Sequence, residues 1–279
     1  APNAFGSMQL LGAPGYKEAY RACLILNLGL RIEGGPFKLS LKDLNVLYEY
    51  WCYLAILEII AEETGQAIPV EKIVRVKNNG LQILLEQGRT TSVLFEGEGD
   101  RKITVSYNPQ FSGSDMLVPQ KPDLLISLEE DGWPKVHLVL DAKYRLEASE
   151  RYRNHYGSIG PPEDAINIMH RYRDAILERP NKQSDLPQRT VVQAAALFPC
   201  PSEESTSFEQ SKLWQALQSI GVGALPFLPE NTNWTQKWLR GRLEQGGFTT
   251  AQNTIPYNIH EQAYEWRLAA SEIVLLAVL

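Results

Sequence analysis

Residues Lys121–Arg145 constrain the fold more than any other stretch. Two apolar runs, Leu124–Leu128 and Val136–Leu140, flank Asp131-Gly132, and Asp-Gly between such runs is a strong short-range hairpin signal. Side chains alternate across a strand. Leu124, Ile126 and Leu128 therefore share one face, with Asp123 on the other. On the second strand Val136, Leu138, Leu140 and Ala142 oppose His137, Val139, Asp141 and Lys143. A three-residue loop over 131–133 sets Asp123 opposite Asp141, whereas a two-residue loop sets it opposite Leu140. In the first register the carboxylates are about 5 Å apart at Cβ, where like charges destabilise a sheet. A divalent cation between them offsets that repulsion; Mg²⁺ in particular takes one or two carboxylates, water and substrate phosphate. Lys143, one pleat beyond Asp141, points at whatever such an ion binds.

Pro122-Asp123, then Asp141-x-Lys143 on the second strand, resemble the signature of the PD-(D/E)xK nuclease superfamily. Leu47–Cys52, Asp141–Arg145, Met169–Ala175 and Gly223–Pro229 together resemble the branch associated with McrBC-like restriction and phage defence. The resemblance spans about residues 15–245. It implies a restriction-endonuclease-like α/β fold: an αβββαβ core with a mixed sheet, here with an extra N-terminal helix, a β-meander insertion and C-terminal helices.

For chemistry, the resemblance implies phosphodiester hydrolysis assisted by Mg²⁺ or Mn²⁺. Asp123 and Asp141 would hold the ion and Lys143 would orient or deprotonate water. The Ala142 carbonyl is a further ligand in such folds. Glu49 is a third carboxylate candidate: its helical neighbours include Val46, Cys52 and Tyr53, and a carboxylate on such a face must be paired, hydrogen-bonded or on a metal. A glutamate bonded to a buried Tyr or Arg is the alternative. Arg145, His170, Tyr172 and Arg173 are candidates for nucleic-acid contact. Tyr172 falls where related nucleases carry Gln-x-x-x-Tyr, but the Gln position here is Ile168. His137 shares the acidic face yet lies about 13 Å along the strand from Asp141, too far to share its ion.

Bulk properties narrow the partners. A net charge of −6 argues against a non-specific nucleic-acid coat but permits a local basic groove, and Lys143, Arg145, Arg151, Arg153, Arg171, Arg173, Arg179 and Lys182 follow the motif. Cys23, Cys52 and Cys200 are odd in number and widely spaced, which fits neither a disulfide framework nor a zinc site and implies a reducing cytoplasm. No uninterrupted 18-residue apolar run predicts a membrane span, and no secretory signal opens the sequence. The missing initiator Met points to processing or to a piece of a longer chain. No phosphate-binding Gly-x-x-x-x-Gly-Lys loop is present, so a nucleotide-driven motor or sensor would be a separate partner. The expected ligand is DNA, with RNA open. A fold-retaining binding or assembly subunit that cleaves nothing is the alternative.

The order of elements gives the domain plan. A helix over 16–30 ends at Gly34-Gly35-Pro36. Ser40–Asp43 reads as a capping box before a long helix to Thr64, apolar nearly all round between Leu47 and Ile60. Strands follow at 81–86, 90–96 and 102–107, then the hairpin, and a polar loop over 147–162. Next come a helix from Glu163, a buried strand at 190–198, a helix at 208–220, an edge strand at 222–228 marked by Pro226, a helix at 234–245 and a terminal helix at 260–279. This sets a helical extension over 1–40, a nuclease-like domain over 41–245 and a C-terminal extension over 246–279.

Overall fold

The structure, a computed structural model, describes residues 41–69, 73–77, 80–83, 91–97, 101–113, 116–130, 135–179 and 187–254. The helices expected at 16–30 and 260–279, the Ser40 cap and the Asp131-Gly132 turn lie outside them.

Helix α1, Leu41–Thr64, buries Cys52, Tyr53, Ile56, Leu57, Ile59 and Ile60. These positions run round the helix rather than down one stripe, as expected of a helix enclosed on several sides. Leu44–Thr64 is long and apolar enough to cross a membrane; here it packs against the sheet. Gly65 ends it at φ +65°, a left-handed conformation that glycine adopts freely. Glu58 faces solvent.

Six strands form one mixed sheet. They are β3 Thr91–Glu96, β4 Lys102–Tyr107, β5 Leu124–Glu129, β6 Val136–Ala142, β9 Val191–Phe198 and β10 Val222–Pro226, in the order β10-β9-β6-β5-β4-β3. β3 to β6 are antiparallel; β6, β9 and β10 are parallel. Parallel neighbours need a crossover: α3, Glu163–Ala175, joins β6 to β9 and α4, Lys212–Ser219, joins β9 to β10. Every residue of β6, β9 and β10 is buried. This explains their nearly continuous apolar runs, the mark of strands covered on both faces.

The meander divides. β1 Val74–Lys77 and β2 Gly80–Ile83 make a separate hairpin, whereas β3 and β4 extend the main sheet. β10 lies at the sheet edge, where Pro226 costs no ladder bond. A small pair, β7 Leu177–Glu178 with β8 Gln188–Arg189, follows α3. Helix α5, Asn233–Thr254, reaches back over the parallel strands. Its Trp238 indole donates to Gln193 Oε1 (2.8 Å) while Gln193 Nε2 donates to the Leu217 carbonyl (3.0 Å), so the fully buried amide is satisfied.

The segment expected as a polar loop contains a helix, α2, Glu150–Tyr156. Seven residues with little apolar content carry no readable periodicity. Its ends were nonetheless written in the sequence: Ser149 caps the Tyr152 N–H and Gly157 closes it at φ 77°.

Candidate active site at the hairpin mouth

The pairing of β5 with β6 sets Leu124 against Leu140 and Leu128 against Val136. Continued by one residue, this is the register that brings Asp123 opposite Asp141. At the other end Lys135 Nζ pairs with Glu129 Oε1 at 3.0 Å, in the same register. Asp123 is also tied to β4, because the Asn108 N–H donates to its carbonyl at 2.7 Å. Lys143 is held from the far side, donating its N–H to the Leu197 carbonyl at 2.8 Å.

Each acid accepts a backbone N–H from the facing strand segment. The Asp123 N–H donates to Asp141 Oδ1 at 3.3 Å, and the Ala142 N–H donates to Asp123 Oδ2 at 2.8 Å. Asp141 is 1 % exposed, and its Oδ2 forms an ion pair with Lys143 Nζ. Burial, then Asp141 and Glu49, push the Asp123 carboxyl well above the ordinary aspartate range, with Lys143 and the Ala142 N–H pulling the other way. Burial works against the Lys143 ammonium, but Asp141, Asp123 and Glu49 outweigh it and raise its pKa. Lys143 is thus held charged.

Glu49 on α1 is partly buried, and its carboxyl is raised by burial and then by Asp141, while Lys143 and Lys121 lower it. It therefore shares the field of the hairpin acids. Among the described residues, however, no group of three or more His, Cys, Asp or Glu is close enough to hold a metal ion. The chemistry of the pair still suits a hard divalent cation: three carboxylates feel one another with Lys143 as the nearest cation. Mg²⁺ commonly needs only one or two carboxylates beside water and phosphate.

Helix α3 brings Tyr172 to the same point. Its hydroxyl donates to the Lys121 carbonyl at 3.0 Å and stands 3.5 Å from Asp141 Oδ1. Burial, followed by the two aspartates, raises the phenol far above its ordinary value, so it stays a donor. Of the other residues expected to contact nucleic acid, Arg173 and Arg145 have partners within the protein. Arg173 donates to the Ile220 carbonyl at 2.7 Å and pairs with Asp174; it clasps the end of α4 instead of facing the acids. His170 is partly buried, with burial and then Arg173 lowering its pKa. Arg145 forms an exposed ion pair with Asp164 at 2.5 Å, which adds little stability and leaves its charge at the surface. His137 is buried between Ser127 Oγ (2.9 Å) and Glu178 Oε2 (2.7 Å), a structural place away from the acids. A cleft of about 510 Å³ between α2 and the start of α3 includes Asp164 and Glu163 but neither hairpin carboxylate.

Sequence reasoning passed over Lys121. Its position directly before Pro122-Asp123 was the available signal, and in the fold it is exposed with a field that reaches Glu49.

No curated protein and no solved structure matches the chain. A family model described as the PD-(D/E)XK nuclease superfamily matches residues 46–203, more than half of the sequence. That span runs from α1 through the acidic hairpin and the α3 crossover into the turn after β9, so the match covers the facing acids and five of the six strands of the sheet, with α4 and β10 beyond it. The chain belongs to the PD-(D/E)XK nuclease superfamily.

Proposed function

We propose that the protein hydrolyses phosphodiester bonds in DNA with a divalent metal, Mg²⁺ or Mn²⁺, as the nuclease component of a prokaryotic restriction or phage-defence system. The observation that carries this reading is the strand register that aligns Asp123 with Asp141, with Lys143 against Asp141. Asp123 and Asp141 would hold the ion, the Ala142 carbonyl would add a donor, and Glu49 would act through water. A bound divalent cation supplies Lewis-acid polarisation of the phosphate and an acidified water.

The chain's own groups do the rest. Lys143 Nζ, kept protonated by the surrounding acids, neutralises charge that builds on a phosphoryl oxygen and orients water by donation. The Tyr172 hydroxyl fixes the Lys121 carbonyl and so the approach to Asp123. Lys121 and Arg145 offer exposed cations to flanking phosphates. The defence role and a partner NTPase or sensor rest on the resemblance of Leu47–Cys52, Met169–Ala175 and Gly223–Pro229, and a cytoplasmic setting on the cysteine usage.

The test is incubation with plasmid, linear DNA and RNA in Mg²⁺ or Mn²⁺, beside Asp141→Ala and Lys143→Ala. Wild-type cleavage that both variants lose supports the reading. Equal cleavage by all three means contamination. A second reading, a non-cleaving binding or assembly subunit, draws on the missing third ligand among the described residues. DNA binding without cleavage or metal uptake by calorimetry would select it.

A further inference from the structure

Leu117 and Val118 are adjacent, large, apolar and exposed, Leu117 completely so. Other exposed large apolar side chains among the described residues, Leu94, Leu146 and Ile220, stand singly, as scattered surface residues do. This pair directly precedes a segment that is fixed in place. Phe111 and Gln120 exchange backbone bonds at 2.8 and 2.9 Å. Gln120, itself buried, donates from Nε2 to the Val118 carbonyl at 2.8 Å and accepts from Arg171 Nε at 3.1 Å. One residue on, the Lys121 carbonyl accepts from Tyr172. The tip is thus registered against Asp123 and Asp141 by bonds from α3.

Charge and reach choose the occupant. Exposed Lys121 and Arg171 stand at the root of the loop, placed to take backbone phosphates, and apolar residues lie beyond them. Cations at the root with aliphatic side chains at the tip match the pattern by which proteins hold a sugar-phosphate strand and press a wedge between its bases. Val118 lies five residues before Asp123, at most roughly 17 Å of extended chain, or about five base steps at 3.4 Å each. We propose that residues 116–121 read the substrate: Leu117 and Val118 insert against nucleobases beside the scissile phosphate while Lys121 takes a neighbouring phosphate. The element opens paired DNA locally, so the enzyme's need for it depends on whether the bases are already unstacked. This deepens the nuclease reading and rests on it.

The experiment compares wild type with Leu117→Ser/Val118→Ser and, separately, Lys121→Ala. The substrates are a fully paired duplex and the same duplex with a central mismatched bubble. The serine variant should cleave the paired duplex roughly ten-fold more slowly, as expected when an apolar wedge no longer helps unstack a base step, and the bubble within about two-fold of wild type. Lys121→Ala should weaken both substrates and lower the salt slope of binding by about one. Equal loss on both substrates by the serine variant, or no loss on either, overturns the proposal. A binding arm in EDTA with 2-aminopurine duplex separates it from the catalytic reading. Wild type should raise the fluorescence and the serine variant should not, whether or not any protein cleaves. An unchanged rise in the variant overturns the wedge while leaving cleavage intact, as does a wild-type dimer in sedimentation that the serine variant dissolves. Absence of wild-type cleavage, with the rise lost in the variant, sinks the nuclease reading alone.

Discussion

Replacing Asp123 with asparagine removes one charge from a facing pair and keeps an oxygen to accept the Ala142 N–H. At a separation of about 5 Å, set by direct cross-strand pairing, two unit charges repel by about 3 kcal/mol at an effective dielectric of 20 and about 0.8 kcal/mol in water. Asp123 is only half-buried and Lys143 offsets part of the repulsion, so about 1–2 kcal/mol is the expected gain. For a domain of this size that raises Tm by roughly 2–8 °C. The sign depends on pH. Because the folded carboxyl is raised, the native protein holds its proton longer than the unfolded chain, and wild-type stability falls as pH rises from about 3.9 through the raised folded value. Asp123→Asn should therefore match wild type near pH 3.5–4 and exceed it at pH 8, in EDTA, by thermal or urea unfolding. Adding millimolar Mg²⁺ should stabilise wild type and close the gap. A variant that is no more stable at pH 8, or equally altered at every pH, would refute the account in which burial and the facing charges raise the Asp123 carboxyl.

Lys143→Gln should lower cleavage by about 10²–10⁴-fold with DNA affinity changed only a few-fold, read by single-turnover kinetics beside binding. Tyr172→Phe leaves the Lys121 carbonyl without its donor. It should cost about 0.5–1.5 kcal/mol by urea unfolding and slow cleavage without changing its metal requirement. Gly223→Ala would put a Cβ 2.2 Å from the Leu213 carbonyl and 2.8 Å from Leu217 Cβ; forcing α4 off β10 should cost about 1–3 kcal/mol, seen as a lower Tm. Arg173→Ala should destabilise by about 1–2 kcal/mol through the lost Ile220 carbonyl contact yet leave the salt dependence of DNA binding unchanged.

The hairpin was legible because period-two alternation and one turn signal fix both face and register, and a single-residue slip would have inverted every side chain. α1, α3 and the buried β9 were legible from long patterns, and the edge position of β10 from Pro226. α2 was missed since its stability comes from caps on a short polar segment. The contact of Arg173 with the Ile220 carbonyl, 47 residues away, is one that no local pattern encodes. Tyr172 could be assigned to the core or to the site, and it serves both: its ring is buried in the core while its hydroxyl meets Lys121 and Asp141. Lys121 directly precedes Pro122-Asp123, but its exposure and its field at Glu49 are properties of the fold.

The backbone bonds that each aspartate accepts across the hairpin have a thermodynamic consequence. Asp141 Oδ1 already accepts from the Asp123 N–H, its Oδ2 faces Lys143, and Asp123 Oδ2 accepts from Ala142. Much of the pair's lone-pair capacity is spent before any ligand arrives, leaving a meagre cage for an ion by itself. If the pair holds a divalent ion as proposed, most of its coordination sphere would come from water and a phosphate, and ion and nucleic acid would each tighten the other's binding by the same factor. Loading of the free protein should need far more metal than loading of its complex with DNA, which would keep such a centre quiet until a strand lies across it.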